Sequence, residues 1–358
     1  MRSQIEPEPV IAGEPEPPAG AVGVVPAVVG RSPWELFWRR FRQDRFAAGG
    51  LIFIALLVVM AILAPWITKV FSHHGPNQLF PFSALDQYGL PVGPSKKFVF
   101  GADSQGRDLF VRVLYGARTS LFVAIFATGL EIVTGVILGI AAGYYRGWID
   151  TVISRLMDVF LSLPVLLLAL GLVSACGFAD SGCLHGLVKP GLLLVSYVIG
   201  FFSWPYIGRI VRGQVLSIRE KEFIEAARAT GASNFRIMLR EVMPNLIAPL
   251  VVYSTLIIPT NILFEATLSY LGIGVPPQTP SWGSQLSDAS QIFDVAWWTM
   301  FFPGMFLLFT TLAFNLVGDG LRDALDPKTA ALSYRKSREM RRLERQRRKA
   351  LEKEAVAA

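Results

Sequence analysis

A single carboxylic acid, Glu131, interrupts the apolar stretch that runs from residue 120 to residue 144. An ionised carboxylate at the centre of a membrane span costs at least about 2.5 kcal/mol, so this side chain must face protein or water. Glu131 is therefore either a proton relay or substrate contact, or a protonated or hydrogen-bonded packing residue, and we favour the packing role. Hydrolysis inside the membrane is the weakest reading, because the apolar stretches hold no catalytic pair of carboxylates.

The two cysteines, Cys176 and Cys183, bracket a short glycine-containing segment. In an oxidising compartment two nearby thiols can form a disulfide that restrains such a loop, so a bond between them is one possibility and free thiols are the other. A metal site with His185 would need further ligands. The pair His73 and His74 is expected to be solvated rather than metal-binding.

Composition indicates that the residues of this chain are positioned by membrane helices. The chain has 358 residues, of which 52% are hydrophobic and 17% are charged, whereas a soluble domain carries about a quarter charged residues. The formal net charge is +7, but the basic residues lie outside any folded recognition element, so nucleic acid is not an expected partner.

Long apolar stretches predict an all-α, polytopic protein with six transmembrane helices. A helix needs about 20 apolar residues to cross the hydrocarbon layer of a bilayer. The stretches that meet this length are 47–66, 120–144, 156–175, 191–210, 246–266 and 297–317.

The distribution of Lys and Arg predicts the orientation of these spans. Basic residues cluster before the first span, between the fourth and fifth spans and after the sixth, whereas residues 269–296 contain neither Lys nor Arg. Because basic residues near spans are retained in the cytoplasm, both termini are expected to be cytoplasmic. Tryptophans near span ends are expected to be interface anchors; they are Trp66, Trp148, Trp204, Trp282, Trp297 and Trp298.

The predicted cytoplasmic segment 212–245 should fold as helix, turn, helix. Residues 221–230 favour a helix, Gly231 breaks it, Ser233 or Asn234 can cap a second helix, and Pro244 is expected to close that helix. Small alanines allow the first helix to approach another surface closely, as expected of a helix that fits a groove in a partner.

This segment resembles the EAA loop of permease subunits of ATP-binding-cassette importers. The match consists of Glu225-Ala226-Ala227, then Gly231, then Pro244, before the penultimate span. In that family the loop docks into a cleft on the ATPase subunit. The resemblance therefore assigns ATPase coupling to Glu222, Glu225, Ala226, Ala227, Arg228, Gly231 and Pro244.

Other segments are similar to the dipeptide, oligopeptide and nickel branch of the family, and residues 34–66 resemble the extra first span of its C-type permease. The matching segments, by residue number, are 101–108, 115–121, 143–150, 265–272, 280–283 and 318–327. Glu265 belongs to one of these segments and is interpreted as structural. The outer loop with Pro276, Pro280 and Trp282 is expected to contact the external binding protein.

The resemblance implies a type I ABC importer permease fold in the plasma or inner membrane of a prokaryote. The implied partners are a second homologous permease, two ABC ATPase subunits, an extracytoplasmic solute-binding protein and the lipid bilayer. The chain has no phosphate-binding G-x-x-x-x-G-K-[ST] motif, so ATP and Mg are expected in the partner subunits, no cofactor is expected in this chain, and the chain is not an enzyme. The expected substrate is a small peptide. The alternative function is a secondary transporter driven by an ion gradient.

These expectations divide the chain into five parts. Residues 1–30, rich in Pro and Glu, are predicted to be a disordered cytoplasmic tail, and 31–67 an amphipathic segment with the first span. Residues 68–117 are predicted to be an external loop and 118–320 the core permease domain. The basic segment 321–358 is predicted to be a cytoplasmic tail.

Overall fold

The fold is given by a computed structural model that describes residues 33–177, 191–276 and 278–325. The described part is helical and contains isolated β-bridges rather than strands. The helices are α1 (Pro33–Gln43), α2 (Arg45–Phe71), α3 (Leu109–Tyr145), α4 (Gly147–Ser162), α5 (Val165–Gly177), α6 (Leu192–Ile218), α7 (Glu222–Ala229), α8 (Asn234–Ile237), α9 (Met243–Tyr270), α10 (Trp282–Ala289) and α11 (Trp298–Leu325). A single π-helical turn, Met238–Val242, joins α8 to α9.

Five continuous helical segments are long and apolar enough to cross a membrane: α2, α3, α6, the segment Asn234–Tyr270 and α11. The pair α4 and α5 supplies a sixth span if it is counted as one element. The all-α, six-span architecture predicted from hydropathy is therefore confirmed.

The third predicted span, 156–175, was wrong as a single helix. It is broken after Ser162, and the axes of α4 and α5 differ by 81°. Leu163 has extended dihedral angles (φ −86°, ψ 133°), because the ring of Pro164 disfavours helical geometry in the preceding residue. Hydropathy alone detects the apolar length of such a segment and not its bend.

The centre of the bundle is the contact between α3 and α6, which depends on glycine. Gly135, Gly139 and Gly143 repeat every fourth residue on α3 and face α6. A methyl group on Gly139 would lie 2.8 Å from the carbonyl oxygen of Gly208. Small residues allow two membrane helices to pack backbone against backbone, so this stripe fixes the separation of α3 and α6.

The helices α2 and α11 pack together on another side of the bundle. A methyl group on Gly50 would lie 2.9 Å from the carbonyl oxygen of Ala313. Leu57 and Ala61 of α2 are buried in the same cluster as Phe314 of α11. The extra first span is therefore an integral part of the helical core.

Residues 72–108, between α2 and α3, form a folded layer held by ion pairs, one buried and one partly exposed. Arg107 Nε lies 2.6 Å from Asp103 Oδ2, and Arg107 Nη2 lies 3.3 Å from Asp288 Oδ2 of α10. Burial raises the pKa of the Asp288 carboxyl, and Arg107 opposes that rise. The expectation that His74 is solvated was wrong: its Nδ1 lies 2.7 Å from Asp108 Oδ2, and its side chain is 12% exposed.

Five of the six tryptophans predicted as anchors divide into two groups, while Trp298 is partly buried and its Nε1 donates to the Ala102 carbonyl oxygen at 3.1 Å. Trp66, Trp148 and Trp297 are 67%, 76% and 57% exposed, as interface anchors would be. Trp204 and Trp282 are 2% and 0% exposed, so their predicted role as anchors was wrong. Their rings pack in the protein interior, where neighbouring helices, rather than lipid headgroups, surround them.

Candidate coupling site

The helix α7 carries most of the residues expected to couple the chain to an ATPase. Lys221 precedes it in an extended conformation, and Glu222 and Glu225 lie in its first turn, where the helix dipole favours negative charge. Arg228 lies in its last turn, where positive charge is favoured. Gly231 then adopts φ +80°, a left-handed conformation that glycine enters without steric cost.

One side chain of α7 anchors it to the rest of the protein. Ile224 is 0% exposed and packs in a cluster with Val215 of α6, and with Ile237 and Val242 that follow the turn. Burial of a side chain of this size contributes about 1.5–3 kcal/mol. The side chains of Glu222, Glu225, Ala226 and Arg228 are exposed, and Ala227 is intermediate. Glu222, Glu225 and Ala226 thus lie on the exposed surface of α7, whereas Ala227 packs against the buried cluster and Arg228 lies over the ring of Tyr144.

The second helix of the segment begins as predicted but does not end as predicted. The Ser233 hydroxyl caps it by accepting a hydrogen bond from the Arg236 backbone N–H at 3.4 Å. Pro244 does not close this helix, because the chain continues helically to Tyr270.

The continuation through Pro244 has a local cause. In a regular helix the ring of Pro244 would collide with the carbonyl four residues earlier. Here Met243 N–H bonds to the carbonyl of Met238, five residues back, and the wider π-turn makes room for the ring. The Asn245 side chain also donates to the carbonyl oxygen of Glu241 at 2.6 Å. The second arm of the predicted loop is thus continuous with a membrane-spanning helix.

Three side chains connect this segment to the end of α3. The Tyr144 hydroxyl donates to Asn234 Oδ1 at 2.9 Å, and Arg219 Nη1 donates to the Tyr144 carbonyl oxygen at 2.5 Å. The Arg228 guanidinium lies over the Tyr144 ring, 5.6 Å from its centroid. Tyr144 therefore contacts one residue before α7, one within α7 and one after it. The sequence carried only an indirect signal of this role, namely the match of residues 143–150 to the family pattern.

Two pairs of opposite charge join α4 to α6. Asp150 accepts two hydrogen bonds from Arg212, at 2.5 Å to Nε and 2.8 Å to Nη2. Asp158 Oδ1 lies 2.5 Å from Arg209 Nη2. These pairs line a cleft of about 500 Å³ between the helices. Sequence reasoning did not assign these residues to a site.

Glu131 lies in the interior of the bundle, 1% exposed. The Asn261 side-chain amide donates to Glu131 Oε1 and to Thr128 Oγ1, both at 2.9 Å. This hydrogen bonding supports the interpretation of Glu131 as a packing residue that joins α3 to α9. The same amide stabilises both polar groups in an environment where an unpaired polar atom is costly.

Glu265 has a comparable environment one turn beyond Asn261 on α9. The hydroxyl of Ser120 donates to its Oε2 at 2.7 Å and that of Ser269 to its Oε1 at 2.7 Å. The side chain is 0% exposed. A buried carboxyl group with these partners connects α3 to α9, in keeping with the structural role expected for Glu265.

The residues expected to contact an external binding protein are mostly internal. Trp282 is fully buried and its Nε1 donates to the Val113 carbonyl oxygen at 3.2 Å. Pro280 is also buried, and Pro276 is intermediate. A direct contact through Trp282 or Pro280 would need this loop to rearrange, so their evident role is to pack the loop onto α3.

Only one of the two cysteines predicted to form a disulfide lies among the described residues. Cys176 is buried in α5, 6% exposed. Cys183 and His185 lie outside the described residues, so the disulfide stays a prediction. Within residues 33–177, 191–276 and 278–325, no group of three or more metal-ligating side chains is close enough to hold a metal ion.

Two family profiles match the sequence. Residues 135–331 match the binding-protein-dependent transport system inner membrane component, and residues 32–85 match the N-terminal TM domain of oligopeptide transport permease C.

Curated proteins with similar sequences are transport permeases. The dipeptide transport system permease protein DppC of Alkalihalophilus pseudofirmus is 41% identical over 297 residues, 83% of this chain and 90% of that protein. The glutathione transport system permease protein GsiD of Escherichia coli O6:K15:H31 is 41% identical over 298 residues, 83% of this chain and 91% of that protein.

A solved structure shares the fold. A chain from the MetNI methionine ABC transporter, in an inward-facing conformation, aligns with a TM-score of 0.50 and 20% identity, covering 61% of this chain and 96% of that one. Identity at this level bears on the arrangement of the helices alone.

Proposed function

Because the chain belongs to the family of binding-protein-dependent transport system inner membrane components, we propose that it forms half of the translocation pore of an ATP-driven importer of small peptides. A second, homologous permease would complete the pore. Two ATPase subunits would bind on the cytoplasmic face, and an external solute-binding protein would deliver the substrate. Both termini of the chain would then be cytoplasmic.

The observation that carries this proposal is the construction of α7. Its exposed surface combines two glutamates and small alanines, while Ile224 and the contact of Arg228 with Tyr144 fix its position. A short helix that is anchored on one face and bare on the other fits a groove in a partner. We infer that the ATPase subunit supplies that groove.

The proposed mechanism is alternating access. ATP-driven closure of the ATPase pair would displace α7, and the segment from α8 through the π-turn would carry that displacement into α9. The contacts of Tyr144 and Arg219 would carry it into α3 and α6. Rocking of these three helices would open the pore towards the loaded binding protein.

Peptide is the proposed substrate class because the relatives at 41% identity are named for dipeptide and glutathione transport. Both names denote small peptides that carry ammonium and carboxylate groups. The segment that matches the oligopeptide permease C profile is a further reason for this choice.

A reconstituted transporter tests the proposal. Proteoliposomes with both permeases, both ATPases and the binding protein should accumulate peptide only when ATP reaches the ATPases. Ala226→Phe, on the exposed face of α7, should prevent the ATPases from co-purifying, while Ala55→Phe, on the exposed surface of α2, should not. Uptake driven by a proton gradient without ATPases would instead establish the secondary transporter.

A further inference from the structure

The exposed surfaces of the spanning helices differ sharply in polarity. On α2 the exposed residues from Phe46 to Trp66 are all apolar or glycine, and on α11 those from Phe301 to Leu312 are all apolar. These surfaces suit lipid hydrocarbon. On α4 and α6, by contrast, exposed charged residues occur on both helices.

The charged surface lies on the cytoplasmic parts of α4 and α6. The side chains of Arg155, Asp158 and Arg209 are 80%, 47% and 53% exposed. Charged side chains on spanning helices avoid hydrocarbon and face a water-filled cavity or another protein. This flank of the bundle therefore faces water or protein, as expected of a surface beside a pore shared with a second permease.

The cleft on this flank has a volume comparable with that of small-molecule binding sites. Its volume of about 500 Å³ lies within the range of ligand pockets, about 300–1,000 Å³. Its charged lining residues are Asp150, Arg155, Asp158, Arg209 and Arg212. Groups of both charges are thus present within one cavity.

The two ion pairs of the cleft differ in how firmly they are made. Arg212 and Asp150 form two hydrogen bonds, and their side chains are only 33% and 19% exposed. Arg209 and Asp158 share one contact and are about half exposed, and a pair in such a position contributes only about 0–1 kcal/mol. The outer pair can therefore open at low cost and exchange partners with an incoming ligand.

We propose that this cleft is a substrate subsite on the translocation path and that it recognises the two charged ends of a zwitterionic peptide. The Asp158 carboxylate accepts from the ammonium group, while Arg209 and Arg155 donate to the carboxylate. Asp150 and Arg212 hold α4 against α6 and keep the cleft in shape. This assignment rests on the proposed function, because both the peptide substrate and the shared pore are parts of that proposal.

A single added cysteine reports whether the cleft is wet and whether peptide fills it. Thr151 is exposed in the cleft, so Thr151→Cys is introduced into the full transporter in nanodiscs and labelled with a membrane-impermeant methanethiosulfonate. The labelling rate of the parent chain, which has two cysteines of its own, is subtracted as background. Ser217→Cys, exposed near the cytoplasmic end of α6, is the matched control, and Ser154→Cys is a second cleft position should the first variant fold poorly.

L-alanyl-L-alanine at about ten times its Kd should slow labelling at position 151 about tenfold, because only the empty site reacts. It should leave position 217 unaffected. Its N-acetyl, C-amide analogue should protect little, and Asp158→Asn or Arg209→Gln should abolish the protection by the free dipeptide.

Three results would overturn the subsite. Labelling at 151 that is unaffected by peptide, in a preparation that still imports peptide with ATP, removes the subsite and leaves the proposed function intact. Absence of labelling at 151 when 217 reacts shows that the cleft is covered by lipid or protein. Slowing by anionic phospholipid rather than peptide assigns the cleft to a headgroup. If the unmodified transporter does not import peptide when ATP is supplied, the proposed function itself is refuted.

Discussion

The hydroxyl of Tyr144, one residue before the end of α3, donates a 2.9 Å hydrogen bond to the side-chain oxygen of Asn234, the first residue of α8. The bond joins residues 90 positions apart in sequence and links a spanning helix to the segment that we propose transmits force.

Tyr144→Phe should uncouple ATP hydrolysis from transport. It removes one hydrogen bond with a net worth of about 1 kcal/mol, so the fold persists while α8 is held less firmly. Peptide imported per ATP hydrolysed should fall several-fold in proteoliposomes. Tyr145→Phe makes the same chemical change at a residue that is 46% exposed and serves as the control. Equal ratios for the two variants would argue against a coupling role for the bond.

Gly231→Ala should weaken the attachment of the ATPase subunits. The backbone at this position has φ +80°, which costs a residue with a Cβ about 1–2 kcal/mol. The turn should relax and reorient α7. Co-purified ATPase per permease is the measurement, and Gly213→Ala, where the added methyl group meets open space, is the control. An unchanged ratio at position 231 would show that the turn geometry is not required.

Gly139→Ala should destabilise the bundle and Gly129→Ala should not. The first methyl group would lie 2.8 Å from the Gly208 carbonyl oxygen, and overpacking of this kind costs about 1–3 kcal/mol. The second methyl group, on the same helix, meets open space. Thermal unfolding in detergent should give a clearly lower Tm for Gly139→Ala alone. Similar Tm values for the two variants would mean that α3 and α6 can move apart at position 139 without loss of stability.

Glu131→Gln should retain ATP-driven uptake, because an amide can still bond with Asn261. Glu131→Leu should lower stability by about 1–3 kcal/mol, since it leaves the Asn261 amide short of a partner in the interior. Uptake is compared with the proton gradient present and collapsed. Loss of uptake in Glu131→Gln, with normal expression, would favour a proton relay and the secondary transporter.

Much of the coupling segment could be predicted from its sequence, because local chemistry determines it. Gly231 adopts the left-handed conformation expected of a helix breaker, and Ser233 provides the expected cap. The first, second, fourth, fifth and sixth spans were also located, since apolar length is a local property. The ends of these spans were not located. For example, α3 begins at Leu109, eleven residues before the apolar stretch at 120, because residues 72–108 supply hydrogen-bond partners for polar side chains such as Arg112 in its first turns.

The features that sequence could not provide depend on contacts between distant residues. A tryptophan near a span end suits either an interface or a core, and only the packing of α10 on α3 places Trp282 inside. Pro164 and Pro244 both have rings that clash with a regular helix preceding them. At Pro164 the chain avoids the clash by bending between α4 and α5, whereas at Pro244 the wider π-turn makes room for the ring and the helix continues. The cleft between α4 and α6 depends on ion pairs between residues that are 51 and 62 positions apart in sequence.

The unbroken helix Asn234–Tyr270 has a mechanical consequence. Its 37 residues span about 55 Å at about 1.5 Å per residue, which exceeds the thickness of the hydrocarbon layer. Such a rod acts as a lever: a tilt of about 5° about its inner end would sweep the far end by about 5 Å. A small tilt imposed beneath the membrane would therefore produce a displacement of several ångströms at the opposite surface.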